Sequence, residues 1–361
     1  MNYRDALILP NEEQSAASGT KVIKLDIAKP ISRIVIRFRT TRKLGPMDDA
    51  APANIPKIEL VDGSTVLHSL TGRENQALAY YSRPHAVMEE GTHIATLTET
   101  DFYALDFGRY LWDEQLAFLV SHFDNPQLKI TYNEALSDTT ATENALEVWA
   151  RIFDDKVISP LGFLMPVEHY AYTPGASGSY ETIVLPEDRP IRQILVRAHS
   201  AGYAPWYTIT EARLDEGTMD RVPWEYTDLE QYYLKMKGTW GKIITDFQCD
   251  LTAVERALYI PQCDYNATLA GVFHDTARIA FANGYYPAVG GKALLTADGN
   301  GQFIGQAFGY LPWHCYQFPL GKQDVIEDWY DPAGKKPRLR LRASTGATPT
   351  CQVVLEELYR Y

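Results

Sequence analysis

Along most of this chain apolar residues alternate with polar ones in short runs. "KVIKLDI" (21–27), "IVIRFRT" (34–40), "QLKITYN" (127–133), "ETIVLPE" (181–187) and "RLRLRAS" (338–344) all follow a period near two. That period is the mark of a half-buried strand, with one face on a core and one in water. Two stretches break it. "GRENQALAYYS" (72–82) and "YTDLEQYYLKM" (226–236) space their apolar residues at helical intervals and carry an acid near the start. Each predicts a helix, with Leu78 and Tyr81 on one face of the first and Leu229 and Tyr233 on one face of the second. "ALEVWARIF" (145–153) fits either period, but its Val-x-Ala-x-Ile alternation favours a strand.

The runs occur in pairs, and a repeat of this size decides the reading of the whole chain. "KPISRIVIRFRT" from Lys29 matches "RPIRQILVRAHS" from Arg189, an offset of 160. In both, a Pro precedes a β-branched run, where it costs no ladder hydrogen bond. "IELVDGSTVLHSLTGRENQALAYYSR" (58–83) follows the plan of "ARLDEGTMDRVPWEYTDLEQYYLKMK" (212–237): strand, Asp-Gly or Glu-Gly turn, second short stretch, helix. "LDFGRYLWDEQL" and "NPQLKITYN" answer "FPLGKQDVIEDW" and "KPRLRLRAS", with Gly108 against Gly321. "TTATENALEVWARIF" answers "TGATPTCQVVLEELY". The offset runs 160, 154, 213, 211 and 206, so an insertion of 59 residues sits in the second copy between about 238 and 305.

The chain therefore reads as two strand-rich units, 1–155 and 181–361, with 156–180 as a Pro- and Gly-containing linker. Each unit holds about eight short strands and one helix. Such units close their edges by packing two sheets into a sandwich.

Composition narrows the chemistry. The net charge is −12, and the densest basic stretch, "GKKPRLRLR" (334–342), alternates with apolar residues as a solvated strand face does. No nucleic-acid binding is predicted. Cys249, Cys263, Cys315 and Cys351 lack C-x-x-C spacing and read as buried free thiols. Nothing at the N-terminus resembles a signal peptide and no window is long enough to span a membrane, which predicts a soluble protein made inside a cell.

Catalytic signatures are missing: there is no H-E-x-x-H, no phosphate loop of the G-x-x-x-x-G-K type and no G-x-S-x-G. "GASGS" (175–179) misses the last by one position, and "GNGQFIG" (299–305) reads as a tight turn. The acid pairs Asp48-Asp49, Asp154-Asp155 and Glu327-Asp328 point to opposite strand faces or lie in loops. The eight histidines share no metal-ligand spacing. The sequon at Asn266-Ala267-Thr268 reads as accidental. Tyr80-Tyr81 and Tyr232-Tyr233, at equivalent helix ends, are expected to plug the same end of each sandwich. No catalytic, cofactor or metal site is predicted, and the protein is not expected to be an enzyme.

The duplicated hairpin-then-helix plan, with "NPQLKITYN" before a final strand, resembles the double jelly-roll major capsid proteins of tailless icosahedral viruses, the lineage of the adenovirus hexon and of membrane-containing bacteriophages. The resemblance spans nearly the whole chain. It implies an all-β fold of two jelly rolls side by side, each with a short helix. It implies a homotrimer of pseudo-sixfold outline that tiles a shell and contacts neighbouring capsomers, vertex and minor capsid proteins. It implies a protein made in the host cytoplasm and located in the virion. The insertion 238–305 is the candidate tower loop. An internal membrane is a further implied partner, although "MNYRDALILPNEEQSAASGTK" is shorter and more mixed in charge than the family's membrane-facing arms. The competing class is a tandem carbohydrate-binding or tail accessory module, which would be a monomer.

Overall fold

The computed structural model describes residues 1–41, 49–82, 91–93, 98–137, 143–217, 219–251, 256–273, 278–286, 291–295, 301–344 and 349–361. In the first part of the chain lie β1 (Tyr3–Glu13), β2 (Ser18–Lys24), β3 (Ile31–Thr41), β4 (Lys57–Asp62), β5 (Thr65–Leu70), helix α1 (Gly72–Ser82), β6 (Gly91–His93), β7 (Thr98–Asp106), β8 (Pro126–Asn133) and β9 (Glu143–Phe153). Next come β10 (Gly162–Tyr172), β11 (Tyr180–Val184), β12 (Ile191–His199), β13 (Ile209–Glu216), β14 (Arg221–Tyr226) and helix α2 (Leu229–Met236). β15 (Ile243–Leu251), β16 (Arg256–Tyr259), β17 (Gln262–Phe273), β18 (Arg278–Tyr286), β19 (Lys292–Leu295) and β20 (Gly301–Pro312) follow. β21 (Cys315–Pro319), β22 (Arg338–Ala343) and β23 (Thr350–Arg360) complete the chain.

Local chemistry explains the elements. In β22, Leu339 and Leu341 are fully buried while Arg338 is exposed and Arg340 and Arg342 are half-exposed, so the basic stretch is a solvated strand face as expected. At α1, the Thr71 hydroxyl accepts from the Glu74 amide (3.2 Å) and the Glu74 carboxylate accepts from the Thr71 amide (2.9 Å). This reciprocal pair is a capping box. At α2, Asp228 accepts from the amides of Glu230 (2.9 Å) and Gln231 (3.1 Å). The β4–β5 and β13–β14 turns place Gly63 and Gly217 at φ of 57° and 61°, a left-handed conformation open to glycine at little cost.

The first unit packs a four-stranded sheet, β1-β9-β3-β7, against β2-β8-β4-β5; the second packs β10-β23-β12-β21 against β11-β22-β13-β14. Each pair of sheets encloses its own core. Ile34, Ile36, Phe38, Leu60, Leu128, Ile130 and Val148 centre the first; Ile194, Val196, Leu214, Phe318, Leu339 and Val353 centre the second. The two units share one continuous eight-stranded sheet, β2-β8-β4-β5-β10-β23-β12-β21, joined where β5 meets β10 in parallel at Ser69 and Val167.

Three expectations need correction. Residues 156–180 are not simply a linker. Their middle forms β10, whose Phe163 and Met165 pack into the first core while its backbone pairs with β23. Sequence hid this strand because its buried start, "GFLMP", is apolar on both faces and shows no period of two. Residues 301–305 of the "GNGQFIG" stretch lie in β20 rather than in a tight turn; 299–300 lie outside the described residues. The insertion, read from sequence as a loop, is built of strands. Its strands form the sheet β18-β17-β20-β15, which the short β6 of the first unit extends in parallel, with β16 and β19 paired beside it. Among the described residues no helix is long and apolar enough to cross a membrane, which says nothing of a β-barrel.

Candidate functional site

The pairing registers test the duplication residue by residue. Ile34 faces Leu105 in the first unit, and Ile194 faces Phe318 in the second, offsets of 160 and 213. Leu60 faces Leu128, and Leu214 faces Leu339, offsets of 154 and 211. Ile36 faces Val148, and Val196 faces Val353, offsets of 160 and 205. The last value corrects the sequence alignment of the final strand by one residue. Irregularities recur too. β3 slips against β9 between Ile31 and Arg33, and β12 slips against β23 between Ile191 and Gln193. β4 and β13 slip at Leu60 and Leu214. A bulge at the same register in both copies is a built feature.

Equivalence lets the two copies of each surface be compared. The outer face of the β10-β23-β12-β21 sheet is covered by the first unit. Leu195 and Val354 are each 1 % exposed and Cys315 is fully buried. They join one cluster with Leu70, Ala77, Leu78, Tyr80, Tyr81, Ile243 and Trp313, so α1 lies on the second unit's sheet. The Tyr81 hydroxyl donates to the Cys315 carbonyl at 2.6 Å. Toward the other end, buried Arg192 donates to Glu356 (2.8 Å) and Gln193 donates to the same carboxylate (2.5 Å). Arg109 of the first unit grips Asp113 with two nitrogens (2.7 and 2.9 Å) and donates to the Asp324 carbonyl of the second (2.6 Å). Leu116, Leu164, Ile326, Trp329 and Leu358 pack beside these groups.

The equivalent face of the first unit is open. The cross-strand pair Leu195–Val354 corresponds to Val35–Trp149, and the pair Arg197–Cys315 to Arg37–Phe102. Val35 and Trp149 are half-buried and Phe102 is 47 % exposed. Arg37 pairs with Glu147 and lies over the Trp149 ring at 5.5 Å. Arg33 pairs with Asp106. One sheet face, written twice, is thus filled by a neighbouring unit in one copy and presented to solvent in the other.

No protein-family model and no curated protein matches the chain. Solved structures do. The STIV MCP is similar with a TM-score of 0.59 and 11 % identity over 99 % of this chain and 97 % of that one. A chain in the atomic structure of Sulfolobus Turreted Icosahedral Virus gives 0.58 and 11 % over 100 % and 91 %. The major capsid protein P2 of Bacteriophage PM2 gives 0.53 and 11 % over 99 % and 98 %. The fold is a double jelly roll.

In this double jelly roll the remaining sequence candidates fall as follows. The two tyrosine pairs do not plug separate sandwiches; they converge on one place between the units. Tyr80, Tyr81, Tyr232 and Tyr233 line a single small cavity. Tyr80 donates to the Gly241 carbonyl, Tyr232 to the Gln317 carbonyl and Tyr233 to Asp264, which Lys237 also pairs with at 2.6 Å. Burial raises the pKa of the Tyr80, Tyr81 and Tyr232 phenols and keeps them protonated. Cys263, Cys315 and Cys351 are free and buried, with the thiols of Cys263 and Cys351 pushed up to about 12 by desolvation. The Cys249 side chain lies outside the described residues.

Among the acid pairs, Asp154 and Asp155 meet Arg4 and the N-terminus, and Asp328 accepts from the Lys322 amide at 2.7 Å; Asp48 lies outside the described residues. No cluster of three or more metal-ligating side chains occurs among the described residues. Sequence spacing missed one association: His199 and His314, 115 positions apart, meet edge to face with ring centroids 4.7 Å apart. His68 is buried inside β5. His85 and His274 lie outside the described residues.

Proposed function

We propose that this chain is a viral major capsid protein, structural rather than catalytic, which assembles as a pseudo-hexagonal homotrimer and tiles an icosahedral shell. One observation carries the reading: the open Val35–Trp149–Phe102 face is register-equivalent to the face that α1 already covers on the second unit. Within the chain, the first unit docks on the second. The step left over is for a second unit to dock on the first unit of another copy. Such a contact is heterologous, and it gives a ring if its rotation closes. Units related by similar steps of about 60° close after six, which is three chains.

On this reading the working units are 1–155 and 162–361, since β10 belongs to the second. The insertion 238–305 forms the tower. Neighbouring capsomers, vertex proteins and minor capsid proteins are the partners, the virion is the location and the host cytoplasm is the place of synthesis. Residues 3–13 are engaged along β9, so this segment would not itself be a free arm reaching toward an internal membrane.

The test is the mass and outline of the purified protein. Light scattering after gel filtration is expected to report three chains of 40.7 kDa each. Negative-stain images are expected to show a hexagonal outline. The interface should bury well over ~2,000 Å² in total, as obligate assemblies do. A chain that stays monomeric at high concentration and binds glycans overturns the proposal in favour of the accessory module.

A further inference from the structure

A cavity of about 140 Å³ opens where the first unit, the second unit and the insertion meet. Asp49 and Arg73 line it from the first unit, His199 from β12, Lys292 from the insertion, and Trp313 and His314 from the β20–β21 turn. Its charge is one-sided. Arg73 and Lys292 are cationic, two imidazoles stand edge to face beside them, and Asp49, paired with Arg73, is the one carboxylate on its wall among the described residues. The guanidinium of Arg197 is buried behind the wall, where it donates to the Trp313 carbonyl at 3.3 Å. Both imidazoles are held neutral, first by desolvation and then by charge repulsion, from Arg197 and Arg73 at His199 and additionally from His199 at His314. The Nε of Arg73 is buried with no hydrogen-bond partner among the described residues.

The turn that builds one wall is strained. Leu311, Trp313 and His314 have φ of 64°, 49° and 65°, a region that side chains other than Gly, Asn and Asp seldom enter. A two-residue hairpin of this twist favours Asn-Gly, and here it carries Trp-His. Surrounding bonds hold it in place: the Trp313 amide donates to Pro261 (2.9 Å), the indole donates to Gln76 (2.8 Å), and a ring nitrogen of His314 meets the Tyr203 carbonyl (3.1 Å). Strain held by its surroundings concentrates at sites with a task.

From the excess of cationic groups, the room for several waters and the over-determined wall, we infer that this cavity is a binding site for a small tetrahedral oxyanion of the phosphate or sulfate class, coordinated by Arg73 and Lys292. The site is complete within one chain, so it forms whether or not the protein trimerises. It clamps the insertion, through Lys292, to both units. Free oxyanion is the occupant, because a nucleoside attached to the phosphate would exceed the space.

The test is calorimetric titration of the full chain with inorganic phosphate against chloride at matched ionic strength. Saturable binding of phosphate and none of chloride is expected. Adenosine monophosphate is expected to bind at least tenfold more weakly than phosphate; equal binding would reassign the site to nucleotide phosphates and overturn the free-ion claim. Lys292→Met should weaken phosphate at least tenfold, while Lys322→Met, outside the cavity, should leave it unchanged. Asp49→Asn removes the repelling carboxylate and should tighten binding severalfold, a gain that misfolding cannot imitate. No heat with phosphate on the wild-type protein, or an unchanged or weakened affinity in Asp49→Asn, refutes the site.

Discussion

Leu195 and Val35 occupy the same register in the two copies of one sheet, so matched substitutions there separate a junction inside the chain from one between chains. Leu195 is 1 % exposed and packed between the units. Its replacement by Ala leaves a void that the two rigid sandwiches cannot close, which costs about 3–5 kcal/mol. At about 2 °C per kcal/mol for a chain of this size, the midpoint of thermal unfolding should fall by roughly 6–10 °C. The oligomer should survive. Val35→Asp reverses both outcomes. In the free chain the position is half-buried, and on a strand Arg33 and Arg37 share its face, so the cost is within about 1 kcal/mol. In the ring the carboxylate would be sealed against apolar side chains, while Arg33 and Arg37 stay engaged by Asp106 and Glu147. An unpaired buried charge costs about 3–5 kcal/mol, and three interfaces raise the total to on the order of 10 kcal/mol. Gel filtration with light scattering should therefore find a monomer of near-normal melting temperature. A Val35→Asp protein that remains a trimer would refute the docking of units on that face, whatever the wild-type mass.

Further expectations concern stability. His68 and His199 are held neutral by burial, with pKa values of about 3 against 6.5 in the unfolded chain. Below pH 6.5 the unfolded chain therefore takes up protons that the fold refuses, and stability falls with pH by about 2 kcal/mol per histidine at pH 5. Glu357, raised to about 7 by burial, works the other way between pH 4.5 and 7 and offsets about one of them. Denaturant titrations from pH 7 to 5 should show a net loss that His68→Gln reduces; an unchanged slope in that variant would contradict the assignment. Gly162→Ala should be severely destabilising, because a Cβ there collides with the Tyr359 carbonyl where β10 begins to pair with β23; a wild-type melting curve would sink this. Tyr81→Phe removes the buried donor to Cys315 and should cost about 1–2 kcal/mol in denaturant midpoint, with no change in oligomeric mass.

Much of the architecture was legible because it was written twice. A single run such as "IVIRFRT" says only strand, but its partner at 194–200 fixes its place in a repeated plan. The offsets read from letters reproduce the cross-strand partners at Ile34–Leu105 and Leu60–Leu128 and their counterparts. Both helices were legible from periodicity and the acid at their starts, which proved to be capping groups at Glu74 and Asp228. What failed was tertiary. β10 is buried on both faces at its start and so lacks alternation. The insertion forms a sheet by pairing with itself and with β6, and such pairings leave no local trace. The His199–His314 contact and the cavity beside it join segments more than a hundred residues apart, which no spacing rule on one sequence can reach. The tyrosine pairs were noticed as equivalent, but equivalence in sequence did not foretell that they would meet.

The differences between the equivalent faces say more than their likeness. Where the second unit receives the first, the central positions are Leu195, Val354 and Cys315, aliphatic or small and never wet once the chain has folded. Where the first unit is open, the same positions are Val35, Trp149 and Phe102, bordered by Arg33, Arg37 and Arg39. A permanent junction can be built like a domain core. A face that must stay soluble until a partner arrives cannot, and the residues that combine solubility with strong contact are those enriched at hot spots, Trp and Arg above all. Arg37 already lies over Trp149 and is paired with Glu147, so the proposed docking would meet an ordered seat. Less side-chain entropy is then lost on docking. In the proposed trimer the duplication would supply the geometry, and the divergence at three register positions would decide which junction forms during folding and which waits for another chain.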